Sequence, residues 1–316
     1  MAITRILFVC HGNICRSPMA EFILKDMVSK AFISDAFEID SAAVSREEIY
    51  RDHASNKDIG NPVYPPAKRM LMEHGIGVPG NELGVSRKRA RQITEADYDR
   101  YDMIVCMDEM NVRNVRRITG ADPENKLSLM LDHTSEKGGE VADPWYTGDF
   151  TASWDDISRG CRGILEECMI SPAELKHCLE SSISSREWES LENNDPDVYI
   201  SAFNRSVILG MRSDDIGDGP ASIGDGPATA ASDIYKLSVY LKDYLDEYLS
   251  DRPEAHKWII MVCLYNTFVK RVPMHPQDAA HWRTVGGIHY CPSKNDSVIC
   301  RYCCCLKDSG APADDA

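Results

Sequence analysis

The stretch from Arg5 to Ala20, R-I-L-F-V-C-H-G-N-I-C-R-S-P-M-A, constrains this fold more than any other part of the chain. An apolar run, Ile6–Val9, reads as a strand and ends at Cys10, and Arg16, Ser17 and Pro18 then open a helical pattern. A C-x5-R-S spacing at a strand-to-helix turn puts a thiol inside a ring of backbone N–H groups at the positive end of a helix. Such a nest holds a phosphate-like dianion against a sulfur nucleophile.

The rest of residues 1–169 alternates strand and helix in the manner of βαβ units. Helical patterns cover Pro18–Ala31, Tyr64–Gly75, Asp108–Ile118 and Trp154–Met169; further strands are expected at Phe37–Ser41, Asp102–Met107 and Lys126–Leu131. The expected fold is α/β, a four-stranded parallel doubly wound sheet with its site at the strand carboxyl ends, followed by a mostly helical second domain over residues 170–316. In that second half Ser171–Glu174 is a capping box, residues 183–196 are mostly polar, and Val198–Met211 reads as a helix. A tandem Ile-Gly-Asp-Gly-Pro-Ala repeat places a flexible Gly/Pro loop at 212–230, and helices follow over Ser232–Ser250 and Glu254–Arg271.

Each residue of the loop has an expected use. Backbone N–H groups of His11, Gly12, Asn13, Ile14, Cys15 and Arg16 would face the anion, with Gly12 and Asn13 tolerating unusual backbone angles. Arg16 offers a two-pronged donor, and Ser17 can donate its hydroxyl to the Cys10 thiolate. Breaking a phosphate ester also requires that the departing oxygen be protonated. Asp143, in the segment Asp143-Pro144-Trp145-Tyr146 that follows the last strand, is the candidate acid. Trp145 and Tyr146 offer flat walls for an aromatic leaving group, and Ile14 an apolar one.

Several blocks in order resemble the low-molecular-weight protein tyrosine phosphatases: V-C-H-G-N-I-C-R-S-P-M-A (9–20), D-S-A-A-V-S (40–45), G-N-P-V-Y-P-P-A (60–67), E-H-G-I (73–76), R-A-R-Q-I-T (89–94), Y-D-M-I-V-C-M-D-E-M-N (101–111) and A-D-P-W-Y-T-G-D-F (142–150). The resemblance implies a phosphocysteine formed on Cys10, with Asp143 as acid and then base, and Arg16 and the loop amides on the transferring group. It implies that Asn13 holds the loop, with His74 and Ser41 behind it, that Cys15 forms a reversible disulfide with Cys10, and that catalysis needs no metal. Phosphotyrosine-containing proteins are the implied partners. Arginine phosphatases of this family carry Thr where this chain has Ile14. Thioredoxin-coupled arsenate reductases need extra cysteines, and residues 43–105 have none. A phosphotyrosine-binding protein whose main role lies in the second half is the alternative; the complete Cys10, Arg16, Ser17, Asp143 set speaks against it. Two departures stand out. The segment Tyr50–Ile59 is inserted and reads as a surface loop, with Tyr50 or Trp145 replacing an aromatic that aligns with Glu47; a shorter insertion lies near Val78–Val85.

The formal charge of −15 argues against nucleic acid as a partner. Trp258–Val269 is too short to span a bilayer. With no signal-like start, a cytoplasmic place is expected, and the oligomeric state stays open. Among 12 cysteines, Cys106, Cys161 and Cys168 read as core residues, whereas Cys291, Cys300 and Cys303, with Cys304 or one of His275, His281 and His289 as the fourth ligand, have spacing suited to one structural zinc; an iron–sulfur cluster and unliganded thiols are the alternatives. The segments 286–294 and 300–303 are faintly similar to the end of an uncharacterised archaeal family.

Overall fold

The computed structural model describes residues 3–195, 202–213, 226–251, 253–271, 283–285 and 288–290. The chain divides into two compact units, one made of Ala2–Ser29 with Phe37–Glu167 and the other of Lys30–Ala36 with Cys168–Ala316.

In the first unit β1 (Thr4–Cys10) runs into α1 (Arg16–Lys30), and β2 (Phe37–Ala43) pairs parallel with β1. An antiparallel hairpin follows, β3 (Ile49–Asp52) and β4 (Lys57–Gly60), then α2 (Pro65–Glu73) and α3 (Glu95–Arg100). The strands β5 (Met103–Cys106) and β6 (Leu127–Leu129) flank α4 (Glu109–Thr119), and a short α5 (Pro144–Thr147) precedes α6 (Phe150–Glu167). The sheet order is β2-β1-β5-β6, all parallel. The four-stranded parallel sheet expected from the sequence is therefore present, with its last strand shortened because the chain turns into a 3-10 segment at Met130–His133.

Ile6, Leu7, Phe8 and Val9 are fully buried, as both faces of a parallel sheet carry helices. Caps fix the helix starts: Asp108 accepts from the Asn111 N–H at 2.7 Å, and Thr94 with Asp97 forms a capping box on α3. Cys106, Cys161 and Cys168 are buried, in keeping with core roles.

The inserted segment is not an irregular surface loop. It builds the β3–β4 hairpin, in register from Ile49 opposite Gly60 to Asp52 opposite Lys57. Its tip closes because the Asp52 carboxylate accepts from Ser55 N at 2.9 Å and Ala54 N at 3.3 Å, and Asn56 takes a φ of 54°.

The second unit is largely helical. It contains β7 (Met169–Ile170), α7 (Pro172–Ser181), α8 (Ser185–Asn193) and α9 (Ala202–Ser213). Then come β8 (Thr229–Ala230), α10 (Ala231–Tyr248), α11 (Pro253–Leu264) and a hairpin of β9 (Arg283–Val285) and β10 (Ile288–Tyr290). The polar stretch 183–196 holds α8, started by the Ser184–Glu187 capping box and anchored by buried Leu191. The helix expected to run from Glu254 to Arg271 ends as α11 at Leu264 and continues as a π-helical turn, Tyr265–Val269. Among the described residues no helix is long and apolar enough to cross a membrane. The Gly/Pro repeat falls mostly outside the described residues, as do Cys291, Cys300, Cys303, Cys304, His275 and His281.

Candidate active site

The loop His11–Cys15 joins β1 to α1 at the carboxyl end of the sheet. Its backbone is tied to its neighbours: Val44 N–H donates to the Cys10 carbonyl at 3.0 Å, Ser45 N–H to His11 at 3.0 Å, and Tyr64 N–H to Ile14 at 2.8 Å. Asn13 takes a φ of 57°, so the turn needs a residue that tolerates left-handed backbone. Gly12 has no positive φ. Its requirement is space, since a Cβ there would lie 3.0 Å from Glu48 Cγ.

A line of hydrogen bonds runs behind the thiol. Ser41 donates to the Glu21 carboxylate at 2.6 Å, and Asn13 Nδ2 donates to Ser41 Oγ at 2.8 Å and to Ser17 Oγ at 3.0 Å. The Ser17 hydroxyl, which accepts from Asn13, lies 3.0 Å from Cys10 Sγ and 3.4 Å from the Ala42 carbonyl, so its one proton can serve either acceptor. The Asn13 backbone N–H donates to the sulfur at 3.3 Å. Lys88 balances the buried Glu21 at 2.6 Å.

Arg16 is buried, and its fork is occupied from inside the protein. It donates to Asp108 Oδ2 at 2.9 Å, to the Val141 carbonyl at 3.0 Å and to Asp143 Oδ2 at 2.6 Å. Burial alone would lower its hold on the proton, but the charges of Cys10, Asp143 and Asp108 raise it, so the guanidinium is a fixed cation. Burial, reinforced by Cys10 and Asp143, pushes the Cys15 thiol well above its ordinary range. Asp143 caps α5, accepting from Trp145 N–H at 3.1 Å, which aims its other oxygen at Arg16.

These groups share one cavity of about 140 Å³, lined by Cys10, His11, Gly12, Ile14, Cys15 and Arg16 on the loop side and by Glu47, Glu48, Asp143, Trp145 and Tyr146 around them. Trp145 lies 5.3 Å from the Tyr64 ring, and Tyr64 stacks in turn on Phe150 at 6.3 Å. Ile14 packs with Cys15 and Ala90 against Ile49, Tyr64 and Phe150. The inserted Tyr50 is exposed and does not line the cavity.

One expected support is placed elsewhere. His74 stacks on Trp154 at 3.8 Å and hydrogen-bonds the Met70 carbonyl at 2.9 Å, so it ties α2 to α6 instead of backing the loop. His11 meets Glu47 at 2.9 Å. Sequence reasoning passed over Glu21, Lys88 and Asp108. Asp108 had a readable signal, an acid two residues past an apolar strand at the sheet's carboxyl end. Glu21 had a fainter one, an acid on the apolar side of α1. Among the described residues no group of three or more His, Cys, Asp or Glu side chains is arranged to hold a metal.

A parallel α/β sheet carrying a thiol, an arginine and a carboxylic acid around one small cavity defines a phosphoryl-handling domain of the C-x5-R-S kind. Residues 5–176 match the family described as low molecular weight phosphotyrosine protein phosphatase, and the chain belongs to that family. Residues 170–308 match a second family, described as an uncharacterized protein conserved in archaea. The low molecular weight protein-tyrosine-phosphatase YfkJ of Bacillus subtilis is 34% identical over 161 residues, 51% of this chain and 92% of the relative. The Sus scrofa low molecular weight phosphotyrosine protein phosphatase is 36% identical over 167 residues, 51% of this chain and 94% of the relative. The crystal structure of Bacillus subtilis YfkJ covers 53% of this chain and 95% of its own, at 32% identity and a TM-score of 0.45.

Proposed function

We propose that the chain hydrolyses phosphotyrosine in proteins, with Cys10 as nucleophile, Arg16 and the loop amides as the phosphoryl cradle, and Asp143 as general acid. The enzyme is a protein-tyrosine phosphatase, and the family needs no cofactor. The observation that carries the residue assignment is the single cavity shared by Cys10, Arg16 and Asp143, with Ser17 hydrogen-bonded to the sulfur behind it.

The reaction then runs in two displacements. Cys10 Sγ attacks phosphorus in line with the phenolic oxygen, the P–O bond breaks, and Asp143 gives its proton to the departing phenolate. Ser17 Oγ–H and Asn13 N–H hold negative charge on the sulfur before attack and again when it leaves. Water, deprotonated by Asp143, attacks the phosphocysteine and releases phosphate. Arg16 must exchange its bond to Asp143 for two phosphoryl oxygens as the dianion enters, which frees Asp143 for the leaving group. Ile14, Trp145 and Tyr146 would hold the phenyl ring. The reduced thiol this requires suits a cytoplasmic setting.

Turnover of an aryl phosphate by the wild type and by Cys10→Ser tests the reading. The substitution should remove activity by at least about 10³-fold. Activity surviving it would overturn the mechanism.

A further inference from the structure

The cavity's rim carries charge that the hydrolysis itself does not use. Glu47 and Glu48 both line the opening to Cys10, but they are held differently. Glu48 is fixed by Asn61 Nδ2 at 2.7 Å and lies against Gly12. Glu47 meets His11 Nε2 through Oε2 at 2.9 Å, and its side chain remains 73% exposed. Nearby cations are turned away from the opening: Arg46 and Arg51 both pair with Asp58, at 2.7 and 3.2 Å, and neither lines the cavity.

A phosphotyrosyl ring that reaches Cys10 must carry its neighbours across this rim. Residues beside the phosphotyrosine then lie within about one screening length, ~8 Å at physiological salt, of the Glu47 carboxylate. The phosphate dianion itself is met deeper, by Arg16, so rim charge discriminates between flanking residues and not between phosphorylated and free tyrosine. The net charge of −15 acts in the same direction on a cationic peptide.

We propose that Glu47 is a specificity-determining residue that selects phosphotyrosine flanked by Lys or Arg over phosphotyrosine flanked by Asp or Glu. This rests on the phosphatase reading above. The test uses two phosphotyrosyl peptides identical except for Lys or Glu on both sides of the phosphotyrosine. Their kcat/KM ratio is measured for wild type, Glu47→Gln and Glu47→Lys, each normalised to that variant's turnover of an aryl phosphate.

Wild type should favour the Lys peptide by about two- to fivefold at low salt, in the range of exposed charge pairs. Glu47→Gln should reduce the ratio, and Glu47→Lys should bring it to about one or invert it. At ~1 M salt, where screening shortens to ~3 Å, the wild-type preference should collapse. An unchanged ratio in Glu47→Lys overturns the assignment of Glu47 while leaving the phosphatase reading in place. Absence of aryl phosphate turnover in the wild type overturns both.

Discussion

Asn13 joins three levels of the site through one side chain. Its left-handed backbone makes the loop turn, its amide nitrogen orders Ser41 and Ser17, and its amide oxygen accepts from Arg91 N–H at 3.1 Å. Arg91 and Lys88 carry that order outward to Asp40, at 2.9 and 2.6 Å. Burial would raise the Asp40 carboxyl, but Lys88 and Arg91 hold it below the ordinary carboxylate range. A depressed folded-state value stabilises the fold above the unfolded value of about 3.9 and loses that contribution as pH falls through the folded value. Asp40→Asn should therefore unfold at lower urea than wild type at about pH 7, with the gap narrowing as pH falls below about 4. A gap that stays constant with pH would show that Asp40 acts by shape and not by charge.

At the scale of elements, the hairpin β3–β4 is held to the domain where Gly60 passes the Ala90 backbone. A Cβ at Gly60 would lie 1.8 Å from the Ala90 carbonyl oxygen. Gly60→Ala should cost about 1–3 kcal/mol in urea unfolding, because backbone must move. An effect below about 0.5 kcal/mol would mean that the close approach is not real. This element was the least legible in the sequence. The run Y-R-D-H-A-S-N-K-D-I has no apolar alternation, since the hairpin is exposed and its order comes from Asp52, Asn56 and the Arg–Asp58 pairs. The helix α8 was hidden for the same reason, with one buried leucine and a capping box as its only signals. By contrast β1, α1 and the loop between them were legible from an apolar run followed by the C-x5-R-S spacing, because anion binding at a strand-to-helix turn demands a thiol and an arginine at that distance. His74 was misplaced because a histidine in a matching block carries no sign of which ring it will stack on. That Arg16 would meet Asp108 and Val141 was not legible, since only the sheet's order brings them to it.

At the scale of the whole molecule, the chain joins a phosphatase domain to a helical half that matches a family of no stated activity. The described helices of that half bury their own core, including Ile208, Met211, Leu241, Trp258 and Tyr265. The zinc expectation for Cys291, Cys300, Cys303 and Cys304 concerns residues outside the described set. Metal analysis of the anaerobically purified chain should give about one equivalent of zinc, and less than about half an equivalent would contradict that expectation. The proposed chemistry belongs to the other half, where a thiolate would displace the phenolate while Asp143 protonates it. Its most direct test is the dependence of kcat/KM on leaving-group pKa for wild type and Asp143→Ala across a series of aryl phosphates. A shallow dependence is expected for wild type and a steep one for Asp143→Ala, with the variant's deficit shrinking for the most acidic phenols. Parallel dependences for the two proteins would contradict it.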